Sequence, residues 1–420
     1  MRKPAIADKG IFSWVLYDFA NSIYSTGVLS LYAGLWATKN LGVSESAYGN
    51  TLSLSMLAVA ALAPWLGAWS DRVRKRRPFV IVLTAVCCIA TALLGYTTHA
   101  LLGLVLLGLS NFAYQLATVP YNAQLPEIAD HAKIGRVSGW GAGFNALGST
   151  FVALVVPRFV PKAGEEVLRQ AAFGPIGGLF ALFAVPLALF TREKGVPPTA
   201  DTRTPSWAET WRDLLEARKI PGVWQFLAAN LLIQDAGSTI VAFFALYAVN
   251  ALGFSEAARE PANLMALAAI GGIVSGPIWG WLSDRFGPRR VFIWDAVLWL
   301  VVLGLMPLVT AKIAYFVFFG PAVGAAIAGT VCVQRPLMAD LAPPDKRGEY
   351  FGMLALVGRM AAIIGPVTWG AITTALAGHG FLRYQAAIGS LVLLTAAGLY
   401  FLLKVPDTRK AKLLEVGAGR

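Results

Sequence analysis

Gly67-Ala-Trp-Ser-Asp71-Arg72-Val-Arg-Lys75-Arg76 recurs as Gly280-Trp-Leu-Ser-Asp284-Arg285-Phe-Gly-Pro-Arg289, an offset of 213 positions. The same offset pairs Gly135-Arg136 with Gly348-Glu349, Gly139 with Gly352, Glu127 with Asp340 and Asn122 with Arg335. One offset shared by several loops implies a duplicated half, built as parallel repeats around a midplane. The residue types have a physical logic. A glycine lets helices approach closely, an aspartate meets a helix N-terminus or an arginine, and basic residues hold the loop at a membrane surface. Gly67, Asp71, Arg72, Gly280, Asp284 and Arg285, with Glu127, Arg335 and Asp340, are therefore read as a conformational gate.

The stretches between these loops are apolar. The 420 residues are 57% hydrophobic and only 14% charged, against about 25% charged in a soluble domain, which argues for an integral membrane protein. Apolar segments run at about Ile11 to Thr38, Ala47 to Trp69, Pro78 to Thr97, Leu101 to Leu125, Val137 to Val160 and Ala171 to Phe190. After a polar stretch come Val223 to Ala251, Pro261 to Leu282, Val291 to Val309, Ile313 to Arg335, Tyr350 to Leu376 and Tyr384 to Leu403. The expectation is an all-α membrane protein with twelve spans: a six-helix bundle over 1–191, a cytoplasmic linker over 192–220, and a second bundle with a tail over 221–420. Of the 35 Lys and Arg, 26 fall on the side of the termini, 7 on the other and 2 inside spans. That bias places both termini in the cytoplasm, and a bacterial inner membrane is the expected location. Arg2, Lys3 and Lys9 ahead of an apolar run superficially resemble a signal peptide. The run is too long and too polar at its centre, so it reads as a retained first span. Within the linker, Ser206-Trp-Ala-Glu209 has capping-box spacing, and Trp207, Trp211, Leu214, Leu215 and Arg218 repeat at helical intervals. A short interfacial helix is expected there.

The first span holds Trp14-Val-Leu-Tyr-Asp18-Phe-Ala-Asn21-Ser22-Ile-Tyr24-Ser25. Asp18, Asn21, Ser22 and Ser25 share one helical face. A charge at mid-membrane costs about 2.5–3.5 kcal/mol, so that face is expected to meet protein or water. It has an echo in Asp235-Ala-Gly-Ser238-Thr239-Ile240 at an offset of 217, one helical turn more than the loop motif shows. Two readings of Asp18 stand side by side. A carboxyl that alternates between wet and dry surroundings can load and release protons; one bonded to a neighbouring helix or an arginine is structural. Asp235 takes the equivalent place, and the two are expected to face one cavity from opposite bundles.

The Gly-x-x-x-Asp-Arg loop, present twice, resembles the signature of the major facilitator superfamily. Trp14-Val-Leu-Tyr-Asp-Phe-Ala-Asn-Ser, Tyr121-Asn-Ala-Gln-Leu-Pro-Glu-Ile-Ala, Arg136-Val-Ser-Gly-Trp-Gly, Glu349-Tyr-Phe-Gly-Met and Gly365-Pro366 are similar to the vacuole-effluxer-like branch of that superfamily. The resemblance spans nearly the whole chain. It implies the major facilitator fold and a secondary transporter, with export of amino acids from the vacuole attributed to fungal members. The chain departs from the branch at Gln234-Asp235, where Asn-Asp is more usual, and at Arg359, where a lysine is common.

Asp18, Asn21, Ser22, Tyr121, Asn122, Asn145, Gln234, Asp235 and Arg359 form the expected substrate or proton site. Amides and phenols in an apolar cavity can orient a polar solute. A guanidinium at Arg359 can hold a carboxylate with two parallel bonds or else pair with Asp18 or Asp235. Asp295, close behind Arg289 and Arg290, is expected to be a local loop partner. Thirteen Trp and twenty-three Phe are expected mainly at lipid or interfacial positions; only if they line the cavity do they favour an exporter of drugs or amphiphiles. A transport-inactive sensor or assembly partner is the alternative from another class.

No cofactor, metal or enzymatic chemistry is implied. Cys87, Cys88 and Cys332 lack ligand spacing, and His99, His131 and His379 fall at span ends or in loops. The basic residues sit in short loops between spans, which argues against nucleic acid. The expected partners are the lipid bilayer, a small-molecule substrate and protons, with the protein a monomer.

Overall fold

The computed structural model describes residues 8–43, 45–73, 75–159, 162–163, 166–167, 169–191, 193, 206–216, 220–254, 260–361 and 364–407. Arg74, Arg218 and most of the linker lie outside them. The first span is α1 (Lys9–Tyr24), which continues through π-helical turns at Ser25–Tyr32 and Trp36–Asn40. Asp8 starts it by accepting from the backbone N–H of Gly10 and Ile11, as an N-cap carboxylate does. There follow α2 (Glu45–Val73), α3 (Arg77–Leu94), α4 (Ala100–Ile128), α5 (Ile134–Val155) and α6 (Phe173–Phe190). A two-residue hairpin, β1 (Lys162–Ala163) with β2 (Glu166–Val167), lies between α5 and α6.

The linker forms α7 (Trp207–Glu216). Its start is a reciprocal capping box. The Glu209 N–H donates to Ser206 Oγ at 3.1 Å, and the Ser206 N–H donates to Glu209 Oε2 at 3.0 Å. The second half comprises α8 (Val223–Leu252), α9 (Glu260–Phe286), α10 (Pro288–Leu305), α11 (Gly320–Leu341, entered through π-helical Tyr315–Phe319), α12 (Arg347–Met360), α13 (Ile364–Ala375) and α14 (Leu382–Leu403). Among the described residues, eight helices are long and apolar enough to cross a membrane. The chain is an all-α, multi-pass integral membrane protein. The span expected over Tyr350 to Leu376 is interrupted, and α12 and α13 are its two parts.

The compact units cut across the sequence halves. Unit 1 contains residues 1–133, 144–210 and 344–356; unit 2 contains 134–143, 211–343 and 357–420. Each unit thus takes in the first turns of a helix from the other half of the sequence.

Glycine explains how those turns fit. In unit 1, a Cβ on Gly67 would come within 2.2 Å of the Gly348 carbonyl oxygen, and one on Gly352 within 2.6 Å of the Ala63 carbonyl oxygen. Ala63 and Gly67 are one turn apart on α2, as are Gly348 and Gly352 on α12, so two small-residue stripes interlock. Unit 2 repeats the joint: a Cβ on Gly280 would lie 2.5 Å from the Gly135 oxygen, and one on Gly139 lies 2.4 Å from that of Gly276.

The tryptophans divide between the interior and the surface. Trp14, Trp36, Trp299 and Trp369 are among the largest fully buried side chains, whereas Trp224, Trp281 and Trp294 are exposed. The first set fills the gaps between helices of a unit, which stripes of small residues alone leave open.

Gly67→Val is expected to cost about 1–3 kcal/mol by overpacking and to lower the melting temperature of detergent-purified protein. Gly178→Ala, with nothing within 4 Å of the added Cβ, should leave melting unchanged. Equal melting of both variants would contradict the close α2–α12 contact.

Candidate functional site

The gate residues assemble in two repeated sets. In unit 1, Asp71 accepts at Oδ1 from the Gly348 N–H, 2.8 Å, and at Oδ2 from the Glu349 N–H, 3.0 Å. Both amides lie in the first turn of α12, where no intrahelical acceptor exists for them, and a carboxylate there also meets the positive end of the helix dipole. In unit 2, Asp284 does the same for α5, accepting from Gly135 N–H at 2.8 Å and Arg136 N–H at 3.2 Å. The sequence offset of 213 positions is thereby a structural equivalence.

The surrounding charges are not equivalent. Arg76 is buried and bonds both Asp71 and Glu127, while Glu193 accepts from the Arg76 and Arg77 backbone N–H groups and from Gln124. Arg72 bonds Glu209 of the capping box at 2.9 Å, which ties α2 to the linker. Its counterpart Arg285 instead lies over the Trp281 and Phe286 rings. Arg289, the counterpart of Arg76, donates to the Leu403 carbonyl oxygen at 2.7 Å, and Arg136 pairs with Asp284 at 3.1 Å. Arg335 is buried on α11, and Asp340 is half-buried near its end.

The expected solute-site residues fall in both units. In unit 1, Asp18, Asn21 and Ser22 are buried. Asn145 Nδ2 donates to the Asp18 carbonyl oxygen at 3.2 Å, and a Cβ on Gly148 would meet Ser22 Oγ at 2.1 Å. Tyr121 departs from expectation. It is fully buried and stacks on Trp14, with ring centroids 4.6 Å apart. Its hydroxyl donates to the Trp14 carbonyl oxygen at 2.9 Å, and Trp14 Nε1 donates to the Tyr121 oxygen at 3.1 Å. Tyr121 is a tie between α1 and α4, since both its polar groups are spent on Trp14.

In unit 2, Gln234 Oε1 accepts from Asn230 Nδ2 at 3.2 Å and lies against Gly358. Arg359 is half-buried in the last turn of α12. Asp235, expected to line a cavity, is fully buried inside its unit. It serves the interrupted span. A continuous helix would join the Gly365 N–H to the Ala361 carbonyl oxygen, four residues earlier. Here Asp235 Oδ1 accepts from the Gly365 N–H at 2.9 Å, and Ser238 Oγ donates to the Ala361 oxygen at 3.1 Å. Two side chains one turn apart on α8 thus take over the donor and the acceptor freed by the break. Pro366 has no N–H to offer the preceding turn, and a Cβ on Gly365 would fall 1.9 Å from Thr239 Oγ1.

Asp295 overturns its expectation most plainly. It is no loop partner but a fully buried carboxyl, bonded by Thr330 of α11. Proximity to Arg289 and Arg290 in sequence suggested the wrong partner; the helical phase that turns it toward α11 was the signal available.

Known proteins fit this architecture. The model of the family described as vacuole effluxer Atg22 like matches residues 39–136 and 131–413. An uncharacterized MFS-type transporter, YxiO of Bacillus subtilis, is 25% identical over 415 residues, covering 94% of each chain. Autophagy-related protein 22-1 of Aspergillus fumigatus is 26% identical over 266 residues, 57% of this chain and 43% of the fungal protein. The human organic anion transporter MFSD10 shares the fold at a TM-score of 0.73 and 14% identity, covering 96% of this chain and 100% of its own. The MFS transporter FucP does so at 0.72 and 13%, covering 95% and 98%.

Asp235→Ala is expected to orphan the Gly365 N–H and cost about 1–3 kcal/mol, whereas Asp235→Asn keeps an acceptor and most of the stability. Thermal melting in detergent checks this, and equal loss in both would contradict the clasp.

Proposed function

The chain belongs to the vacuole effluxer Atg22-like family of major facilitator transporters, and on that footing we propose that it is a secondary active transporter of a small polar, amino-acid-like solute. Transport proceeds by alternating access, is coupled to protons and runs outward. The proposed orientation has both termini in the cytoplasm of a bacterium, with the protein in the inner membrane, as the Lys and Arg bias supports.

One observation carries the solute class. Asn21 Oδ1, Asn122 Oδ1 and Asn230 Oδ1 are buried and accept no hydrogen bond from any described residue. A buried acceptor left unmade costs about 1–3 kcal/mol, so these amides suit a solute that brings N–H donors, as an ammonium group does. In unit 1 we propose Asp18, Ser22 and Asn145 as further polar contacts, and in unit 2 Gln234 as an amide and Arg359 as a guanidinium for a carboxylate. The repeated carboxylate-to-helix joints of Asp71 and Asp284 supply the releasable contacts that a rocking cycle uses.

Purified protein in proteoliposomes, loaded with a mixture of amino acids under an imposed pH gradient, tests the reading. At least one amino acid should leave faster with the gradient than without it, and Asn21→Leu should lower that flux about tenfold or more. Absence of gradient-dependent flux for every amino acid would contradict the proposal.

A further inference from the structure

Asp295 is the buried carboxyl that neither the gate nor the proposed solute site uses. It lies two turns into α10 with no exposed surface. Thr330 Oγ1 donates to Oδ2 at 2.7 Å, and that hydroxyl accepts from Trp299 Nε1 at 3.1 Å. Among the described residues Oδ1 has no hydrogen-bond partner, and it rests against Gly329, where a Cβ would come within 2.2 Å. No Lys, Arg or His forms an ion pair with it among the described residues.

The contrast with the other buried aspartates is chemical. Asp71, Asp284 and Asp235 each accept from backbone N–H groups at a helix start, an environment made for an anion. Asp295 has one hydroxyl and a bare oxygen in an apolar interior, where an anion is costly and a carboxyl takes up a proton instead. We propose that Asp295 is a proton-binding site, occupied in the state described, and that it carries the proton of the transport cycle. This rests on the proton-coupled reading above.

The neighbouring elements agree. α11 presents Thr330, and its buried Cys332 Sγ donates to the Gly135 carbonyl oxygen at 3.7 Å. α9 presents Trp279, which packs on Gly329 and donates to the Ala325 carbonyl oxygen. α14 and the residue that follows it hold their charges against rings, Arg383 on Tyr384 and Lys404 on Tyr400. The cations of α10 itself are engaged elsewhere, Arg289 with Leu403 and Arg290 with Asp407; α8 brings a ring contact, Phe226 to Phe292.

α11 is also built to bend. Thr330 lies between Pro321 and Pro336, beyond the π-helical turns of Tyr315–Phe319, and prolines and π-turns are where helices kink. Withdrawal of Thr330 admits water. The Asp295 O–H bond then breaks, the proton passes to water, and a carboxylate remains beside α11, the helix that also carries the gate residue Arg335.

Infrared difference spectroscopy on the reconstituted full chain tests this. Wild type minus Asp295→Asn should show the carbonyl stretch of a protonated carboxylic acid, and wild type minus Asp235→Asn should not. Thr330→Val, which keeps the carboxyl but removes its hydrogen bond, should shift that band. In proteoliposomes Asp295→Asn should lose its gradient dependence at least tenfold. Absence of the band from the Asp295 difference, or gradient-driven flux in Asp295→Asn equal to wild type, would overturn the proposal. A wild type that shows the band but ignores the gradient would remove the coupled reading and the carrier role with it, leaving a buried proton.

Discussion

Two carboxylates, each spanning two consecutive backbone N–H groups at the start of a helix, hold the architecture together. Asp71 binds the start of α12 and Asp284 the start of α5. First-turn amides have no partner inside their own helix, so a carboxylate there satisfies two donors and the helix dipole at once. The contact is possible only because glycines stand on both sides of each joint. It is also why each compact unit includes first turns from the other half of the sequence. A hydrogen-bonded joint at a helix start can be made and broken without disturbing the helix beyond it, which suits a protein of this transporter family.

The same device appears once more, in a fixed form. Asp235 and Ser238 take the donor and acceptor that the interrupted eleventh span gives up. Because Thr239 already crowds Gly365, this clasp has little room to move. Around the joints of Asp71 and Asp284 the repeat has diverged: Arg76 bridges Asp71 and Glu127, while Arg289 turns to the carbonyl oxygen of Leu403. Duplication preserved the carboxylate and the glycines; the arginines were free to find different partners.

What the sequence disclosed follows from periodicity and spacing. The duplicated offset, the apolar segments and the capping box of Ser206 and Glu209 are local or repetitive signals, and the polar face of Asp18, Asn21 and Ser22 is a helical one. The partners of single buried groups are not. Tyr121 looked like a cavity phenol until its hydroxyl met the backbone of Trp14, more than a hundred positions away. Asp295 looked like a local loop partner because arginines precede it, but its side chain points to α11. Gly365-Pro366 carried a family resemblance without revealing that it opens a second helix after α12 ends at Met360. In each case the deciding contact is long-range, and a helical pattern fixes only which face a residue occupies.

The claim on which the account turns is that Asp71 and Asp284 hold those helix starts independently. Amide hydrogen exchange on the reconstituted protein measures it directly, since the first-turn amides of α12 and α5 have no other acceptor within their helices. The account predicts slow exchange at Gly348 and Glu349 that accelerates about tenfold or more, roughly 1.4 kcal/mol, in Asp71→Ala while Gly135 and Arg136 stay protected. Asp284→Ala should give the reverse pattern. Unchanged protection in both variants, or loss of protection across the whole chain in either, would contradict it.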